Sequence, residues 1–109
     1  MCKRILFLAE RMAMGFGVAV VIENLAEELA GRGHCVDVGC IHWDRNQGRN
    51  FQVHVLSANA ASVHKLAYDL QAEYVIAHTS PFFEVLPQMH GPYERWVWEH
   101  GDPTPELFP

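Results

Sequence analysis

Apolar and polar positions follow two rhythms along this chain, and they alternate. Ile5, Leu6, Phe7, Leu8 and Ala9 form an unbroken apolar run after two basic residues. That is the pattern of a central parallel strand covered on both faces. Residues 10–17, rich in Met and Gly, read as a loop. A helical rhythm follows: Val18, Ile22, Leu25 and Leu29 fall on one stripe, with Glu23, Glu27 and Glu28 on the wet side. Gly31 and Gly33 offer the left-handed conformations that end helices. A strand over 35–41 completes a strand–helix–strand unit, which requires parallel strands and a right-handed crossover.

The polar stretch 44–50 predicts a loop, and 51–56 a third strand with Phe51, Val53 and Val55 on one face. Val63, Leu66, Ala67 and Leu70 make a second helical stripe. Residues 74–77 form a fourth strand. Ser80 and Pro81 read as the cap and first residue of a short helix running through Met89. Residues 95–99, rich in Trp and Val, form a fifth strand, with Trp96 and Trp98 expected in the core beneath flanking helices. The alternation predicts an α/β fold: a Rossmann-like, doubly wound parallel sheet of about five strands in the order 3-2-1-4-5. The topological switch then lies between strands one and four. No helical pattern follows the fifth strand, only a proline-rich stretch to Pro109, so 1–109 is expected to be one incomplete domain.

Composition narrows the classes. The chain has 109 residues, 50% of them hydrophobic, and a net charge of -5. Lys and Arg do not cluster, so an acidic chain of this kind has no electrostatic reason to seek nucleic acid. The three cysteines Cys2, Cys35 and Cys40 are an odd count and suggest free thiols in a reducing compartment. The apolar run near the start is shorter than the ~7–15 residues of a signal core. No stretch reaches the ~20 apolar residues of a membrane span. A cytoplasmic location is the expectation.

In an open α/β sheet, ligands bind beyond the carboxyl ends of the strands near the switch point. Position in the chain brings to that rim Gly15 and Gly17, His42 and Asp44, His78, Thr79 and Ser80, and His100, Gly101 and Asp102. Glycines at the start of the first helix let a ligand approach the backbone, and the helix dipole favours phosphate. The same glycines also suit a flexible turn. Val20 occupies the third glycine position of a G-x-G-x-x-G pattern, and no Walker lysine follows. His100 could act as a general base or bind a sugar hydroxyl, or simply close a strand. His78 has the same geometry, with a packed strand end as the favoured reading. Cys35 and Cys40 point to opposite faces of a strand, and Cys40 with His42 gives two ligands, too few for zinc. His34, His54, His64 and His90 read as surface or boundary residues.

Three stretches together resemble the amino-terminal domain of the family 4 glycosyltransferases, whose GT-B fold pairs two Rossmann-like domains. They are Arg4 to Leu8 with Gly15, Gly17 and the leucine-alanine helix ending in Arg32-Gly33-His34 before Val36; Tyr74 to Pro81; and Trp98 to Pro103. The resemblance implies the incomplete amino-terminal half of a GT-B fold in a retaining enzyme. Such an enzyme moves a hexosyl or mannosyl unit from a nucleotide-sugar to an acceptor. It places Gly15 and Gly17 near the donor diphosphate and gives His100 the catalytic position. It sets His78, Ser80, Gly101 and Asp102 on the acceptor side. In the family, Phe16 would be replaced by adjacency of the two glycines. No cofactor or metal is implied. Most donor contacts would come from a carboxyl-terminal domain, so the fragment alone is expected to be inactive and its acceptor is unspecified.

Two other readings stay open on the residues. One is a non-catalytic, flavodoxin-like binding module. A receiver domain needs an acidic pair after strand one, and here Glu10 stands by itself. A flavodoxin needs a hydroxyl-rich loop where Arg11 to Met14 stand. The other is an interaction domain that self-associates through an exposed fifth strand or through the proline-rich stretch after it.

Overall fold

A computed structural model describes residues 2–12, 17–43 and 51–98. The elements are β1 (Arg4–Met12), α1 (Gly17–Gly31), β2 (Cys35–Trp43), β3 (Gln52–Val55), α2 (Ala60–Asp69), β4 (Tyr74–Ala77), α3 (Phe82–Val85) and β5 (Glu94–Val97). A 3-10 turn, Leu86–Gln88, extends α3. The sheet has five strands in the order β3-β2-β1-β4-β5, and every pairing is parallel. This is the doubly wound, Rossmann-like arrangement that the alternating rhythm predicts. Strand-side parity separates two cores. Leu6 and Leu8 of β1 face Val63, Ala67, Phe82 and Leu86. Phe7 and Ala9 face Ala19, Ile22 and Ala26 of α1.

Several boundaries differ from the sequence reading. β1 does not end at Ala9: Arg11 pairs with His42 and Met12 with Trp43. Met12 is fully buried in the α1-side core, which holds these residues in the strand rather than a loop. Gly31 stays helical, while Gly33 alone of the pair takes a positive φ, 94°. His34 N then donates to Leu29 O at 3.1 Å, closing α1 in a Schellman-type turn. On the third strand Phe51 and Val53 face the α1-side core, but Val55 is 61% exposed.

The close approach of α2 to the sheet depends on Gly39. A Cβ added there would meet methyls of Leu56 and Leu8 at 3.1 Å and of Leu66 at 3.3 Å. At the start of α2, Asn59 Oδ1 accepts from Ser62 N at 2.8 Å, an N-cap that satisfies one orphan donor.

Trp96 and Trp98 are not core residues. Trp96 lies opposite Ile76 in the register and so shares the α1 face. α1 packs over β1 and β2, which leaves Trp96 55% and Trp98 44% exposed at the β5 edge. Among the described residues no helix is long and apolar enough to cross a membrane.

Candidate functional site

The carboxyl rim of β1 and β4 is tied together by one hydrogen bond at the switch point. Glu10 N donates to Thr79 Oγ1 at 2.7 Å. His78 N donates to Leu8 O at 2.8 Å, carrying the β1–β4 ladder one residue beyond the strand. Thr79 therefore sits where the two central strands finish, and its hydroxyl closes the seam. The sequence places Thr79 at the rim but offers no signal for this role. The pairing depends on β1 running past Ala9.

His78 is almost wholly buried. Its ring meets Phe7 edge-on at 4.8 Å and stacks on Trp98 at 5.5 Å with 28° between the planes. The imidazole thus stands at the carboxyl end of β4 but is packed between two aromatic rings, and Trp98 forms its solvent-side cover. Trp98 N donates to Ala77 O at 2.8 Å, which fixes the indole over His78 from the main chain.

Ser80 does not cap a helix. The cap position of α3 belongs to Pro81, which makes no side-chain cap bond, and Ser80 follows Thr79 into a cis Ser80–Pro81 peptide. Ser80 Oγ instead donates to the Glu84 carboxylate at 3.0 Å. Proline has no side-chain acceptor to offer the first-turn N–H groups, and Ser80, one place outside the cap, turns its hydroxyl to the charged Glu84 carboxylate.

Gly17 opens α1 at the same rim. Among the described residues a Cβ at Gly17 would meet nothing within 4 Å, so these make no steric demand for glycine there. The first turn of α1 holds no acidic residue, so no carboxylate of that turn offsets the positive end of the helix dipole. Gly15, His100, Gly101 and Asp102 lie outside the described residues.

A cavity of about 700 Å³ opens at the opposite edge, between the amino-terminal ends of the strands, lined in part by Arg4, His34, Cys35, Asp37 and Gln52. A smaller hollow of about 430 Å³ lies over Ile76, Trp96 and Trp98. Among the described residues no group of three or more His, Cys, Asp or Glu side chains could hold a metal ion. Cys40 is fully buried, and burial pushes its thiol up to about 11. His54 Nε2 lies 2.7 Å from Asp37 Oδ2 across the β2–β3 pair, and His64 Nδ1 lies 2.6 Å from the Tyr93 hydroxyl. Both histidines are thereby engaged in holding the fold.

No protein-family model, no curated protein and no solved structure matches this chain.

Proposed function

We propose that this chain is the acceptor-side, amino-terminal half of a retaining glycosyltransferase that takes a hexosyl or mannosyl unit from a nucleotide-sugar. The observation that carries the reading is the seam at the switch point. The Glu10–Thr79 hydrogen bond joins the ends of β1 and β4 on the rim where α1 presents its amino end. A doubly wound sheet binds its ligand on that rim, and free helix N–H groups there suit a diphosphate. The resemblance in sequence supplies the rest: Gly15 and Gly17 toward the donor diphosphate, His78, Ser80, Gly101 and Asp102 toward the acceptor, and His100 as the catalytic group. Donor contacts from a second domain would complete the site, and a cytoplasmic location accompanies the reading.

An NMR titration of the amide spectrum with UDP-glucose and GDP-mannose tests it. Weak, saturable shifts are expected at residues 17–20 and at His78 and Thr79, diminished by Gly17→Ala, a change the described residues leave room for. Shifts confined to the amino-terminal edge, or an unchanged spectrum at tens of millimolar ligand, would overturn the proposal.

A second reading is favoured by β5. Its four residues are all exposed, and it is an outer strand of the sheet. An edge of this kind is a template for an identical strand. A second copy pairing β5 against β5 would extend the sheet and cover both Trp96 side chains. Sedimentation velocity should then show a dimer that Trp96→Glu abolishes; a monomer at every concentration would sink this reading.

A further inference from the structure

We propose that Cys2 and Cys35 form a thiol-exchange site, which closes to an intramolecular disulfide on meeting a small, anionic, oxidised disulfide such as oxidised glutathione. The two sulfurs lie 3.3 Å apart and both residues are exposed. Their proximity is a product of register. Cys35 pairs with Arg4 on parallel strands, so Cys2, two positions before Arg4, falls on the same face as Cys35. Cys35 N donates to Lys3 O at 2.8 Å, and Lys3 N donates to His34 Nδ1 at 3.0 Å. These bonds hold the residue between the two thiols from both sides. A disulfide needs sulfurs about 2.05 Å apart, a closure of about 1 Å that side-chain rotation at Cys2, ahead of β1, can supply.

The approach is open as well. The cavity of about 700 Å³ at the amino-terminal edge is lined by both Cys35 and Arg4. A small disulfide can enter it with a carboxylate toward the guanidinium. Cys40, buried in the other core, takes no part.

The exchange has two steps. The Cys2 thiolate attacks one sulfur of the small disulfide, forming a mixed disulfide and releasing one thiolate. Cys35 then loses its proton to solvent and attacks the Cys2 sulfur, displacing the second thiolate. Overall, two protein thiols and one small disulfide become one protein disulfide and two small thiols, and two electrons pass to the small disulfide. The hydrogen bond to Cys2 raises the Cys35 thiol, keeping it protonated during the first attack.

The test uses the full reduced chain incubated with oxidised glutathione, then read by intact mass and peptide mapping. The expected product is lighter by two hydrogens, carries no glutathione and has Cys2 joined to Cys35. Cys2→Ser and Cys35→Ser should each stop at one bound glutathione, and Cys40→Ser should behave as the parent. A parent chain that ends with glutathione on either thiol, a disulfide that includes Cys40, or no reaction at the exposed thiols would overturn the proposal.

Discussion

Trp98 stacks on His78 with ring centroids 5.5 Å apart, so the residue just past β5 shields the residue just past β4. An aromatic pair of this kind contributes about 0.5–1.5 kcal/mol beyond its buried area. A double-mutant cycle with His78→Ala and Trp98→Ala, followed by urea unfolding, should return a coupling energy in that range. Strict additivity would mean that the stacking contributes nothing to stability.

Two glycines give opposite expectations for the same substitution. A Cβ at Gly91 would come within 2.6 Å of the Tyr93 ring. That ring is buried, and its hydroxyl lies 2.6 Å from His64 Nδ1. Gly91→Ala should therefore cost about 1–3 kcal/mol by overpacking. Gly17→Ala, which meets nothing within 4 Å among the described residues, should leave stability unchanged or raise it by up to about 1 kcal/mol. Chemical denaturation of the two variants side by side decides this.

Stability should decline in alkali because of Cys40. Its thiol is held up to about 11 in the fold, against an ordinary value of 9.0. The folded state therefore keeps a proton that the unfolded state gives up first. The contribution is whole below pH 9, falls as pH rises through the window, and is gone above about 11. Unfolding free energies from pH 8 to 11 should drop by an amount on the order of 2–3 kcal/mol more for the parent than for Cys40→Ala. Parallel curves for the two proteins would contradict this.

Closure of the Cys2–Cys35 pair would tie off the loop spanning residues 2–35, which contains all of α1. Loop-closure entropy of that length corresponds to about 3–4 kcal/mol. For a domain of this size each kcal/mol moves Tm by roughly 4–8 °C. Oxidised protein should melt higher by more than 10 °C, and dithiothreitol should reverse the gain. An unchanged Tm would show that the native geometry is strained by the bond.

The sheet was legible in the sequence because each strand carries its own rhythm. The run from Ile5 to Ala9 announces burial on both faces, and the 18-22-25-29 stripe announces a helix beside it. What escaped depended on partners distant in the chain. Met12 and Arg11 look like loop residues until β2 is long enough to pair with them. Trp96 and Trp98 have the composition of core, and only the placement of α1 over β1 and β2 leaves them exposed. Ser80 carries a capping signal that Pro81, sitting in the cap position itself, makes irrelevant. The nearness of Cys2 and Cys35 has no local signature, since it comes from strand register across 33 positions.

The placement of α1 also grades the sheet in time. β1 is paired on both sides and buried between two cores. β5 is paired to β4 on one side, and all its residues are exposed. Local opening follows the least buried contacts. Amide protons should therefore exchange with solvent as a gradient across the strands, earliest at Arg95 and Val97 and last at Leu6 and Leu8. The fold frays from its tryptophan edge inward, so the cover over His78 is the first part of the rim to come and go.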